Sequence, residues 1–118
     1  MGNFTIAGVE DLQTGNPDIE KAIGQNNKDV ILLTHSPDIF PQVPNTVTLT
    51  LAGHTPGGQI VFWGMEPLLV PSAYGKKYAY GFKQENGKNL YVSKGLGTSI
   101  LPLRFNCKPE IVVIEIEK

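Results

Sequence analysis

The run Val30-Ile31-Leu32-Leu33, bounded by Asp29 and Thr34, constrains this chain more than any other stretch. It is a continuous apolar run of strand length. A strand with no polar position suits a parallel or mixed sheet, and the run is expected to be buried on both faces. Phe4 to Val9 mixes β-branched and aromatic residues before Glu10-Asp11 and reads as an earlier strand. Between the two lies a short helix. Asn16 is placed to cap it, Pro17 suits the first helical position and Asp18 complements the dipole. Ile19, Ala22 and Ile23 share one face, and Gly24 is the expected stop. A helix this short needs packing to persist.

The remainder is read mostly as strands. Ser36-Pro37-Asp38 repeats the cap-then-proline start, so a single helical turn is expected before Pro41 and Pro44 interrupt it. Thr46 to Leu51 alternates, with Val47, Leu49 and Leu51 on one face and Thr46, Thr48 and Thr50 on the other. Gly53-His54-Thr55-Pro56-Gly57-Gly58-Gln59 is a tight loop, and Ile60 to Trp63 is a short strand candidate. Lys77 to Gln84 alternates, with Tyr78, Tyr80 and Phe82 on one face. Asn86-Gly87 is a strong hairpin signal because both positions tolerate positive φ, and Asn89 to Ser93 is the returning strand. Glu110 to Glu117 is a last strand, with Val112, Ile114 and Ile116 inward. The order strand–helix–strand followed by strands predicts a mixed α/β (α+β) fold with a β-rich carboxy-terminal part.

A length of 118 residues fits one domain spanning 1–118, and 41% hydrophobic with 18% charged residues suits a globular chain. A net charge of −1 gives no strong nucleic-acid signal. The single cysteine, Cys107, excludes an intramolecular disulfide framework and has a low claim to catalysis, with no second cysteine or histidine nearby in sequence. No apolar run approaches the ~20 residues of a membrane span. Met1-Gly2-Asn3-Phe4 does not read as a secretory signal. A cytoplasmic location is expected, with any membrane contact made through a partner or a further segment.

The chain has two histidines, His35 and His54, and each follows an apolar strand. In open α/β sheets ligands gather at the carboxyl ends of strands, and neutral imidazole is a good ligand for divalent transition metals. A lone histidine at a strand end is more often a hydrogen-bonded surface residue, so position alone does not decide. Gly57 and Gly58 let backbone approach a ligand closely, although a plain tight turn explains them equally well. Arg104, the sole arginine, can contact a phosphate bidentately or serve as a surface ion-pair residue. Tyr74, Tyr78 and Tyr80 are candidates to line a cleft, with sheet packing the plainer account.

The segments Leu33-Thr34-His35-Ser36-Pro37-Asp38 and Leu51-Ala52-Gly53-His54-Thr55-Pro56-Gly57-Gly58-Gln59 together resemble the last two metal-binding motifs of calcineurin-like metallophosphoesterases. The bacterial branch they resemble normally reads Gly-His-Thr-His-Gly-Gly-Gln in the second. Gly8-Val9-Glu10-Asp11, Pro71 to Gly75, Tyr78 to Gly81, Gly95 to Ser99, Pro102-Leu103-Arg104 and Pro109-Glu110-Ile111 resemble other parts of that family in order. The resemblance implies the carboxy-terminal half of a two-sheet sandwich flanked by short helices. It also implies a dinuclear site in which two metals activate a hydroxide and stabilise phosphoryl charge, with His35 and His54 on the same metal. The cofactor would be a divalent ion such as Mn, Zn or Fe. The substrate would be a phosphate ester: a phosphodiester, a nucleotide or a lipid-linked pyrophosphate.

Two departures qualify the resemblance. The family's Asp-x-His, Gly-Asp and Gly-Asn-His motifs do not occur here, and Pro56 stands where a ligating histidine is usual. Asp38 and Glu10 are candidate extra oxygen ligands, with helical-turn and strand-end roles as their plainer accounts. The expectation is an incomplete site, weakly active or inactive alone. A separate amino-terminal half, or self-association, would complete the fold. The rival expectation is a non-catalytic interaction module that retains the half-fold.

Overall fold

A computed structural model describes residues 3–26, 28–53, 74, 77–96 and 108–117. Five strands are present among them: β1 (Thr5–Gly8), β2 (Val30–Thr34), β3 (Val47–Ala52), β4 (Gly81–Glu85) and β5 (Lys88–Val92). They form one mixed sheet in the order β1-β2-β3-β5-β4, with β1, β2, β3 and β5 parallel and β4 antiparallel to β5. The helix α1 (Ile19–Ile23) joins β1 to β2, and a 3₁₀ helix, Pro37–Gln42, joins β2 to β3. This is the mixed α/β fold read from the sequence. The expected strand at 60–63 and the loop at 54–59 lie outside the described residues.

Helix α1 begins two residues later than expected. Asp18 is its cap, and its carboxylate accepts from the Lys21 amide at 2.9 Å. The Asn16 backbone amide donates to Glu10 Oε2 at 2.9 Å, which closes residues 10–16 into a loop ahead of the helix. Gly24 ends the helix as expected, at φ 61°. Ile19 and Ile23 bury themselves, with Ala22 packed beside them.

The 3₁₀ helix is capped by the Ser36 hydroxyl, which accepts from the Asp38 amide at 3.3 Å. It runs through Pro41 instead of stopping there. Its far end is held from across the sheet. Lys88 Nζ on β5 donates to the carbonyls of Phe40, Pro41 and Val43 at 3.1, 3.2 and 2.9 Å, and lies 5.1 Å from the Phe40 ring centre. A cation at a carbonyl-rich helix end satisfies acceptors that the short helix leaves over.

The alternation expected for β3 breaks at Thr48. In the parallel ladder Val30 pairs with Val47 but Ile31 pairs with Leu49, so Thr48 is an extra residue. Its carbonyl is taken by the Asn89 side-chain amide at 3.0 Å. One inserted residue reverses every later side chain. Val47 therefore faces the core with Val30, but Thr50 and Ala52 follow it there while Leu51 turns to the other face. Thr50 is fully buried, and its hydroxyl has no hydrogen-bond partner.

One face of the sheet carries the core. Ala7, Val30, Leu32, Val47, Leu90 and Val92 pack with Ile19 and Ile23 of α1 and with Ile39, Phe40, Val43 and Tyr78. The opposite face is apolar and only partly covered: Leu49, paired with Ile31, is 9% exposed there. Leu33, Leu51, Tyr91 and Phe82 lie in one cross-strand row, and Ile6 is paired with Ile31. Ile6 is 69% exposed, Leu33 42% and Phe82 59%. The expectation that 30–33 is buried on both faces is therefore corrected, since no described residue covers this side of Leu33.

Two strand expectations near the carboxyl end also change. Residues 77–80 form a turn, and β4 starts only at Gly81, whose φ of 82° bends the chain into the strand. The hairpin forms as expected, with Asn86 at φ 51° and Gly87 at φ 77°. Residues 110–117 belong to no strand among the described residues, because a strand needs a neighbour to take its backbone groups. The intended facing survives as a difference in exposure: Val112, Ile114 and Ile116 are 36–40% exposed, against 84% and 82% for Ile111 and Val113.

Two substitutions test this account by urea unfolding. Thr50→Val removes an unpaired buried hydroxyl with little change of shape and should stabilise the fold by about 1–2 kcal/mol. Lys88→Met leaves three carbonyls without their charged donor and should destabilise it by about 1–3 kcal/mol.

Candidate metal centre

Parallel pairing carries the ends of β1, β2 and β3 to one edge of the sheet. The ladder between β1 and β2 runs on past Gly8 through the Val9 amide, which donates to the Leu33 carbonyl at 3.2 Å. His35 follows β2 directly and is exposed. Its carbonyl accepts from the Gly53 amide at 3.1 Å, so the chain leaving β3 is bonded to His35 just before position 54. Ser93, after β5, is bonded in turn to the Ala52 carbonyl at 3.0 Å. His54, Pro56, Gly57, Gly58, Arg104 and Cys107 lie outside the described residues.

The loop after β1 brings a carboxylate to the same edge. Asp11 Oδ2 accepts from the Thr14 hydroxyl at 2.9 Å, the Thr14 amide at 3.1 Å and the Gln13 amide at 3.3 Å. The Gly15 amide closes the turn on the Asp11 carbonyl at 2.8 Å. Glycine is required there. A Cβ on Gly15 would stand 2.8 Å from both Cβ and Oε2 of Glu10. The other Asp11 oxygen, Oδ1, is buried and has no hydrogen-bond partner. Burial by itself would raise the Asp11 carboxyl's pKa. The three bonds from Thr14 and Gln13 outweigh burial, and the nearby His35 imidazole adds to them, so the carboxyl lies below its ordinary value. The sequence offered no signal separating Asp11 from Glu10. The turn that consumes one carboxylate oxygen and strands the other exists only in the folded loop.

The remaining candidates have other partners. Glu10 is held to Asn16, and together with Gly8, Val9, Asp18 and Lys21 it lines an open cleft of about 520 Å³ between β1 and α1 that does not include His35. Asp38 is buried in the first turn of the 3₁₀ helix. Tyr78 is fully buried, meets the Phe40 ring edge-on at 5.9 Å and donates to Glu85 Oε2 at 3.0 Å. Lys77 bridges the other Glu85 oxygen at 2.9 Å. Tyr74 is exposed beside Tyr78, with ring centres 5.4 Å apart, and the Tyr80 ring lies 4.8 Å from Lys94 Nζ.

Among the described residues no group of three or more His, Cys, Asp and Glu side chains could hold a metal ion. The donors near His35 nevertheless have the right chemistry. An imidazole nitrogen with an unpaired carboxylate oxygen close by suits a borderline divalent cation. The described residues supply part of a cation site and not the whole of one.

Comparison with known proteins agrees with the residues that carry the resemblance. The chain is 42% identical to the metallophosphoesterase YkuE of Bacillus subtilis, over 95% of this chain and 40% of that protein. It is 34% identical to a metallophosphoesterase of Aquifex aeolicus, over 99% of this chain and 47% of the relative. It is 30% identical to the phosphodiesterase YaeI of Escherichia coli, over 96% and 41% respectively. The chain thus spans less than half the length of these relatives. No family model matches it, and no solved structure gives a significant match. No helix among the described residues is long and apolar enough to cross a membrane.

The Lys77–Glu85–Tyr78 cluster predicts an acid limb in the stability curve. Lys77 and Tyr78 hold the Glu85 carboxyl below its ordinary value of 4.5. A depressed carboxyl contributes stability that is complete above the unfolded value and is lost as pH falls through the folded one. Glu85→Gln should therefore flatten the loss of stability below about pH 4.5, read as the urea midpoint between pH 7 and pH 3.

Proposed function

We propose that this chain, a homologue over nearly its whole length of one part of the metallophosphoesterases, is the carboxy-terminal portion of a metal-dependent phosphoesterase domain. In this reading residues 1–118 are one domain, and His35 and His54 hold a divalent cation (Mn, Zn or Fe) through their imidazoles. The observation that supports it most is the bond from the Gly53 amide to the His35 carbonyl. It ties the residue before one histidine to the backbone of the other. β2 gives the His35 imidazole a rigid origin, which is what a cation site needs from a sheet.

The substrate in this proposal is a phosphate ester: a phosphodiester, a nucleotide or a lipid-linked pyrophosphate. Gly57 and Gly58 allow close backbone approach to it, and Arg104 pairs with its phosphate. A bound cation would supply Lewis-acid stabilisation of charge on the phosphoryl oxygens. The part played by His35 is to hold that cation as a neutral ligand, at an exposed sheet edge that substrate can reach. Two imidazoles alone hold a cation weakly, so the chain by itself is expected to turn over slowly.

A second polypeptide bearing the Asp-x-His, Gly-Asp and Gly-Asn-His motifs, or failing that a second copy of this chain, would complete the assembly. The open row of Leu33, Leu51, Tyr91 and Phe82 supports such a contact, since exposed apolar faces of this kind mark association. The single cysteine, which can form no intramolecular disulfide, supports a reducing, cytoplasmic setting. Pro56 favours a second reading, a binding module whose histidines no longer serve catalysis, because proline has no donor to offer a metal.

Hydrolysis of bis(4-nitrophenyl) phosphate with Mn²⁺ tests the proposal. The chain is assayed alone and co-expressed with the portion of the Bacillus relative that it does not match. Activity should be near background alone and clearly above it in the assembled pair, and His35→Ala should lower the pair's rate by about 100-fold or more. An inactive pair whose Mn²⁺ binding is indifferent to His35→Ala would leave the binding-module reading standing.

A further inference from the structure

The two outermost strands of the sheet differ in what they offer a further strand. β4, on one side, carries Lys83 and Glu85, and Glu85 is already held by Lys77 and Tyr78. Charged side chains on an outer strand discourage pairing with another chain. β1, on the other side, has no such protection: Phe4 to Val9 contains neither a charge nor a proline. The amides of Thr5 and Val9 donate toward β2, to the carbonyls of Asp29 and Leu33. Backbone groups alternate in direction along a strand, so those of Ile6 and Gly8 point away from β2. Among the described residues they meet no backbone partner. Ile6 is 69% exposed, Gly8 is exposed, and a Cβ built on Gly8 would have no atom within 4 Å.

We propose that β1 is the surface through which two copies of this chain associate, paired antiparallel about a two-fold axis at Ala7. In that register Ile6 of each copy lies opposite Gly8 of the other, and each such pair exchanges both backbone hydrogen bonds. Every outward group of Ile6 and Gly8 is then satisfied. The Ile6 side chain lies beside the bare backbone of the opposite Gly8, covering what a glycine in a strand leaves open. Thr5 falls opposite Val9, a β-branched pair that suits a sheet. No like charges meet, because Glu10 falls opposite Phe4 and Asp11 opposite Asn3. This fit of the strand to itself selects a second copy as the occupant, since a two-fold contact must be self-complementary. The result is one continuous sheet through both copies. The proposal is independent of the metal reading.

Sedimentation equilibrium of the purified chain, over the micromolar range, is combined with residue-resolved amide exchange by NMR. The mass should move from one chain toward two as concentration rises. The Ile6 and Gly8 amides should slow by about 10-fold or more on association, and those of Thr5 and Val9, already bonded to β2, far less. Gly8→Pro removes an outward amide and no bond to β2, and Ile6→Lys sets a charge on the strand. Each should weaken association by about 10-fold or more, with the urea midpoint near that of wild type. Phe82→Lys, on β4 at the opposite side of the sheet, should leave association unchanged. A chain that stays monomeric throughout would overturn the proposal. So would association that survives both β1 variants, or that only Phe82→Lys abolishes, which would place the contact on the apolar face. If Gly8→Pro does not fold, the exchange of the wild-type Ile6 and Gly8 amides decides: no slowing with concentration overturns the pairing.

Discussion

The parallel pairing of β2 with β3, with its one extra residue at Thr48, governs the rest of this structure. The pairing brings His35 and Gly53 together at the sheet's edge, where backbone bonds continue past the strands proper. The extra residue sets which side chains point where beyond it. It sends Thr50 into the core and Leu51 outward, at the cost of an unpaired buried hydroxyl. The Asn89 side chain satisfies the carbonyl that the insertion would otherwise leave without a donor. The bulge is therefore supported by its neighbour strand and is not a local accident of β3.

The 3₁₀ helix between these strands needs help that its own length cannot provide. A six-residue helix has few internal hydrogen bonds and leaves its last carbonyls open. Ser36 closes its start, next to His35, and Lys88 closes its end from β5. This links the hairpin β4–β5 to the segment that leaves His35. The edge that carries the candidate site is thereby held from three directions: β1, β3 and the hairpin.

Among the described residues the sheet is fully packed on one side only. Its core face is filled by α1, the 3₁₀ helix and Tyr78, while Ile6, Leu33 and Phe82 stand exposed on the other. At roughly 25 cal/mol per Å² of apolar surface, burying such a row is a substantial driving force for association.

Much of this was legible in the residues themselves. The apolar run 30–33, the φ-tolerant Asn86-Gly87 pair, the Gly24 stop and the Ser36-Pro37 start each encode local geometry, and local geometry is set by neighbours in sequence. Where His35 falls, directly after β2, was equally readable, because the segment around it is contiguous. What only the tertiary structure decided was everything requiring a partner far along the chain. Asn89 stabilises an insertion in β3, and Lys88 caps a helix more than forty residues away. Composition and period specify which faces are apolar. Only the packing of distant segments determines which polar atoms find partners and which are left over.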